Sequence, residues 1–347
     1  MTDMYSWQQE IWSKLTKQSE LLGHALLLKG KQGIGKYDFA RFFAQSLLCT
    51  APKADRKACG ACLSCGWFKH NSHPNFFVIL PEALKIDSVE QGYKEKSEEK
   101  TASTATPKKN PSQQIGVEQI RQLNDFVYMT GHQHGLKIIL IYPAEAMNIA
   151  AANALLKKLE EPPENVLFIL VAHQIQRLLP TIRSRCQQIA MPIPDVAASI
   201  AWLNQHAIRD PQASLAAAGY APLSALWLNS EEHAQHYEQF IRLISDPGRL
   251  NPVSGAQTMQ QVNLPIIVNW LQQWCYDLIS YRTTGKIRYF LNQIACIASV
   301  SSQIDLHACL AYARTLNARQ KLAHHPLNPR LFLEEMLIDY VAMTGKK

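Results

Sequence analysis

The stretch from His24 to Tyr37, HALLLKGKQGIGKY, limits the possible folds more than any other part of the chain. A short apolar run ends at Gly30, a glycine-punctuated loop follows, and KYDFARFFAQSLL continues as a helix. An apolar strand, a glycine turn and a helix in that order are the setting of a phosphate-binding loop, G-x-x-x-x-G-K-[S/T], whose backbone N–H groups cradle phosphates. Gly30, Gly35 and Lys36 meet the pattern, and Gly33 lies within it. Tyr37 stands where a Ser or Thr hydroxyl would hold Mg²⁺, and its phenol oxygen sits farther from the backbone than that hydroxyl. Binding of ATP or ADP through Gly30, Gly33, Gly35 and Lys36 stays open, whereas a catalytic Mg²⁺ is not expected. The bland alternative is a glycine turn that merely joins a strand to a helix.

Three further apolar runs, NFFVIL, KIILIY and NVLFILVA, suit strands buried on both faces of a parallel sheet. Between the last two, Met147, Ala151, Leu155 and Leu159 fall on one helical face, and Pro162 and Pro163 end that helix. Trp7, Ile11 and Leu15 predict an amphipathic helix at the start. Strands alternating with helices imply an α/β sheet with flanking helices. An ATPase of this class needs an Asp for its metal and usually a Glu beside it to activate water. KIILIY instead runs into Tyr142 and Pro143, with Glu145 displaced along the chain. Two missing parts argue against hydrolysis. An unusual ATPase using Glu145 is the competing reading.

Of eight cysteines, four crowd together as Cys49, Cys59, Cys62 and Cys65, in CTAPKADRKACGACLSC. Four thiolates at this spacing can enclose a structural Zn²⁺, with Gly60 easing the turn. An iron–sulfur cluster is the rival, although the C-x3-C-P continuation of ferredoxins is absent. His70 and His73 are possible substitute ligands. Clustering in a reducing compartment favours metal over disulfides.

A polar run of about residues 82–114, rich in Lys, Glu, Ser, Thr and Pro, is expected to be a mobile surface insertion. Beyond MPIPD, from about Val196, helical periodicity takes over and strand-like runs are absent. Asn328 and Pro329 are placed to start a last helix. Hydrophobic residues at 47% and charged residues at 18% are a globular composition. The N-terminus lacks the order of a signal peptide and no apolar run reaches membrane length, so a cytoplasmic protein without a membrane is expected. The net charge of +7 permits nucleic-acid contact without demanding it. A zinc-organised DNA-binding module is therefore a third reading, weakened by the lack of a clear Lys/Arg–aromatic face in the sequence.

The order of these motifs is specific. A phosphate loop, a four-cysteine insertion after its helix, then AAANALLKKLEEPPENVLFIL and TIRSRC together resemble bacterial clamp-loader subunits of the AAA+ family. Asn153 to Pro163 and the Ser184–Arg185–Cys186 triplet carry the likeness most strongly. The altered loop and missing acidic pair resemble delta-prime subunits of DNA polymerase III rather than gamma/tau. The resemblance implies an AAA+ P-loop core over 1–193, with a zinc module at 49–65. It also implies a small helical lid over 194–230 and an all-α C-terminal collar over 231–347. It implies gamma/tau and delta partners in a hetero-pentameric ring that loads a sliding clamp (beta) onto primed DNA. It further implies that Arg185, next to Ser184, serves as an arginine finger in a neighbouring ATP site. The alternative for Arg185 is a surface arginine in a basic loop with Arg177 and Arg183. His173 and Gln174 lie near where active relatives carry a γ-phosphate-sensing threonine.

Overall fold

The computed structural model describes residues 4–17, 23–84, 111–128, 135–325 and 327–344, so most of the expected insertion at 82–114 lies outside the described residues. What is described of it is its base. The Ala83 N–H donates to the Ser112 carbonyl at 3.1 Å and the Ser112 N–H to a Glu82 carboxylate oxygen at 3.2 Å. Two compact units form, residues 1–193 and 194–347.

The first unit is built on a parallel sheet of β1 (Ala25–Lys29), β2 (Phe76–Ile79), β3 (Lys137–Ile141), β4 (Val166–Ala172) and β5 (Gln187–Ala190), in the order β2-β3-β4-β1-β5. The first four are the apolar runs read from the sequence. β4 is buried at every position, as a central parallel strand must be. β5 escaped the sequence reading because only Ile189 of QQIA is buried. An edge strand with a wet face shows no apolar run. Parallel strands in this order, with β1 inserted between β4 and β5, form an α/β core with the glycine loop following β1.

Six helices accompany the sheet among the described residues: α1 (Gln9–Lys17), α2 (Lys36–Leu48), α3 (Leu63–Lys69), α4 (Val117–Tyr128), α5 (Ile149–Glu160) and α6 (Pro180–Arg185). α5 starts where Asn148 accepts the Ala151 N–H at 2.8 Å, and it buries Ala151, Leu155 and Leu159. α1 turns a different face inward from the one expected. Gln8, Trp12 and Leu15 are buried, whereas Trp7 and Ile11 are only half-buried. The reason is polar: Gln8 and Trp12 both reach backbone carbonyls of other segments, as described below.

The second unit is helical. α7 (Val196–Gln205), α8 (Pro211–Ala217) and α9 (Pro222–Leu228) share a small core of Leu203, Leu215 and Ala225. α10 (Glu231–Ser245), α11 (Pro252–Met259), α12 (Leu264–Thr284), α13 (Ile294–Gln303), α14 (Leu306–Leu322) and α15 (Pro329–Thr344) enclose a larger one. Asn328 caps α15 as expected, accepting the N–H groups of Arg330 and Leu331 at 3.1 and 3.3 Å. Among the described residues no single helix is long and apolar enough to cross a membrane.

At the centre of this core the fully buried Trp274 indole donates to the Tyr340 hydroxyl at 3.0 Å, and that hydroxyl donates to the Ile244 carbonyl at 2.7 Å. One oxygen satisfies two buried groups on different helices. Tyr340→Phe is expected to cost about 1–3 kcal/mol, the penalty for stranding a buried donor and acceptor. Urea unfolding followed by fluorescence measures it, and an unchanged midpoint would show that the pair adds nothing.

Candidate functional site

The loop between β1 and α2 keeps the backbone of a phosphate cradle. Gly33 and Gly35 hold φ of 78° and 81°, where a side chain is strained. Its interior, however, is already occupied. The Lys36 ammonium turns back and donates to the Gly30 carbonyl at 2.8 Å and to the Lys31 carbonyl. Lys36 is 2% exposed, and burial pulls its pKa down to about 8, partly opposed by Glu145. The outer side is covered as well. The Gln8 amide donates to the Ile34 and Gly35 carbonyls at 3.1 and 2.8 Å, the Trp7 indole donates to Ile34 at 3.1 Å, and the Tyr5 hydroxyl donates to Asp38 at 3.1 Å. A β-carbon at Gly35 would collide with the Tyr5 ring. The sequence carried no signal for this cover, because a glutamine and a tyrosine near a chain start have no motif.

Beside the loop, three rings pack together. Tyr37 packs on Tyr142 with centroids 4.6 Å apart, and Tyr142 meets His173 edge-on at 5.4 Å. His173 Nε2 lies 3.3 Å from the Tyr142 hydroxyl. Burial, with Lys36 nearby, pushes the His173 pKa down to about 3, so the ring is neutral at physiological pH. Burial raises Tyr142 to about 12, keeping it a phenol. Glu145, the fallback base, is engaged: one carboxylate oxygen accepts the His173 and Gln174 N–H groups at 2.8 and 3.0 Å. It pins the end of β4, while its other oxygen is buried without a hydrogen-bond partner.

Arg185 closes α6 on the surface. Its guanidinium pairs with Glu160 at 2.6 Å, and its other nitrogen donates to the Thr181 carbonyl at 3.1 Å. Ser184 donates to the same carbonyl at 3.0 Å and lies 3.4 Å from the Arg185 guanidinium. An exposed pair of this kind contributes no more than about 1 kcal/mol, so Arg185 is positioned yet easily drawn to a stronger anion. Cys186, next in the triplet, is buried and structural.

The four clustered cysteines converge. Cys49–Cys62, Cys59–Cys65 and Cys49–Cys65 sulfurs lie 3.8, 3.9 and 3.7 Å apart, and all four fall within 4.8 Å of one another. A tetrahedral ion with metal–sulfur bonds of about 2.3 Å needs sulfurs about 3.8 Å apart. Backbone N–H groups of Cys59, Cys62 and Cys65 point at the sulfurs of Cys49, Cys59 and Cys62 at 3.3–3.4 Å, which favours thiolates. Hydrogen bonding from Thr50 brings Cys62 down to about 5, while burial pushes Cys65 up to about 12. The set can hold a single metal ion. His73 is not part of it: Nδ1 accepts the Asn75 N–H at 3.0 Å and Nε2 pairs with Ser64 at 3.0 Å.

Lys36 makes the phosphate loop pH-dependent. Its folded pKa lies below the ordinary 10.5, so the unfolded chain binds the extra proton between about pH 8 and 10.5. Stability therefore gains from Lys36 deprotonation as pH rises through that window. Relative to Lys36→Met, the wild type should become more stable between pH 7.5 and 9.5 in urea unfolding. A constant difference would show that Lys36 is solvated.

A family model described as "DNA polymerase III, delta subunit" matches residues 7–195, and its C-terminal counterpart matches residues 231–341. DNA polymerase III subunit delta' of Pseudomonas aeruginosa is 34% identical, with 99% of each chain covered. That of Yersinia pestis is 30% identical over 91% of this chain and 88% of its own. By contrast, a gamma/tau subunit from Mycobacterium bovis, 31% identical, covers 47% of this chain. Identity sustained over both units, on a P-loop core, shows that the chain belongs to the DNA polymerase III subunit delta' family.

Proposed function

We propose that this chain is a non-hydrolysing clamp-loader subunit that lends Arg185 to the ATP site of a neighbour. The observation that carries the first half is the Tyr37–Tyr142–His173 stack, which fills the space where Mg²⁺ and water would act. Glu145 has one carboxylate oxygen committed to the His173 and Gln174 N–H groups, and Tyr37, Tyr142 and Pro143 stand where the hydroxyl and the acidic pair are expected. ATP or ADP at Gly30–Lys36 would require Lys36 to leave both carbonyls, so the loop reads as a retained scaffold.

Arg185 supports the second half through its chemistry. A guanidinium stays charged, is held at a helix end by Thr181, and is paired only with a half-exposed carboxylate. A transferring phosphoryl group carries more charge than Glu160 and would outcompete it. Ser184 fixes the turn that aims it. In this reading residues 194–230 act as a lid and 231–347 as a collar. The collar would join gamma/tau copies and delta in a five-membered ring, in the cytoplasm, that opens the sliding clamp and places it on primed DNA.

The metal in the cysteine cage is, in our reading, Zn²⁺. Sulfurs spaced for one ion, rather than splayed around a multi-iron core, favour it over an iron–sulfur cluster. With four protein ligands the site is closed and structural. It would hold the loop between α2 and α3.

Three experiments test these proposals. The isolated chain should show no Lys36-dependent ATP hydrolysis. In a ring reconstituted with gamma/tau and delta, Arg185→Ala should lower clamp- and DNA-stimulated hydrolysis by about tenfold or more. Gel filtration should still find the ring. Normal turnover by the mutant ring would leave Arg185 a surface residue. For the cage, metal analysis should find about one zinc per chain. Replacing Cys59 and Cys62 by Ala should release it and destabilise the first unit, and retained zinc would exclude these ligands.

A further inference from the structure

We propose that the C-terminal end of α12, the loop after it and the tip of α8 form a docking surface for single-stranded nucleic acid. Six residues make it: Tyr220, Tyr276, Arg282, Lys286, Arg288 and Tyr289. The Arg288 guanidinium lies between two rings, 5.2 Å from the Tyr220 centroid and 5.7 Å from that of Tyr289. Tyr276 meets Tyr289 edge-on at 5.3 Å and is 45% exposed. Lys286 lies two residues before Arg288 and is exposed, as is Arg282 at the end of α12, whose guanidinium donates to the Ser301 carbonyl at 3.4 Å.

The loop itself carries cations only, with Asp210 at the start of α8 reaching it at Asn292, whose amide it accepts at 3.1 Å. Between Asp277 and Asp305 the chain has no acidic residue. Among the described residues none of Arg282, Lys286 and Arg288 has a carboxylate partner. Asp277, at the base, is fully buried beneath the loop and is spent on its backbone: it accepts the N–H groups of Arg288, Tyr289 and Phe290 at 2.8, 2.9 and 2.8 Å. Those bonds hold the loop rigidly, as do Ser280 to the Lys286 carbonyl at 2.8 Å and Tyr220 to the Arg288 carbonyl at 3.0 Å. The surface is therefore formed before any partner arrives. Cations beside one exposed ring, Tyr276, and two half-buried ones, Tyr220 and Tyr289, match a strand whose phosphates are paired and whose bases are free to stack. A duplex hides its bases, and an acidic peptide has no use for the rings.

The test is fluorescence anisotropy of labelled oligo(dT) with the full chain across a salt series. Wild type should bind, and Arg288→Gln should weaken binding and reduce the log–log salt slope by about 0.7, as expected for one lost phosphate contact on a single strand. Tyr276→Ala should weaken it about tenfold with the slope unchanged. Arg242→Gln, on an exposed position of α10, should change neither, and circular dichroism should show all variants folded. No binding by wild type at low salt would overturn the proposal. So would equal binding of a duplex or of a poly-Glu competitor with Tyr276→Ala silent, which would make the patch a plain cationic surface.

Discussion

The Lys36 ammonium, turned back onto the Gly30 and Lys31 carbonyls, is the contact on which the first unit's centre depends. A loop built to wrap a phosphate carries backbone polarity that must be answered once it is dry. Here the chain answers it from within. Lys36 supplies the inner donors, Gln8 and Trp7 supply the outer ones, and the cradle closes without a ligand. The same burial that lowers the Lys36 pKa neutralises His173 and keeps Tyr142 protonated.

Trp12 extends this logic to the cysteine cage. Its indole donates to the Asp55 carbonyl at 3.1 Å, inside the Cys49–Cys59 loop, while its ring packs on Phe39, Phe42 and Phe43 of α2. The segment from Tyr5 to Trp12 thus ties the phosphate loop at one end and the cysteine loop at the other. Arg185 is the contrast. It sits at the surface on a single exchangeable ion pair, which suits a group that acts on something outside the chain.

Much of the fold was legible because burial writes itself into residue type. β1 to β4 are continuous apolar runs, α5 shows its 3.6-residue period, and Asn148, Asn328 and the prolines mark helix ends. β5 was not legible, since an edge strand with one buried residue looks like a loop. The face of α1 was misread because Gln8 is buried for its hydrogen bonds, and periodicity counts only apolar residues.

The sequence by itself determined the loss of a metal-holding hydroxyl and of the acidic pair, because Tyr37, Tyr142 and Pro143 have the wrong chemistry wherever they sit. It also determined the four-thiol set, whose short spacing keeps the ligands together. Only the tertiary structure decided how the vacated site is filled, where Glu145 points, and that Tyr220 meets Arg288 and Tyr289. Those residues are separated by tens of positions along the chain. Their pairing depends on which helices and strands pack together, and no local pattern carries that information.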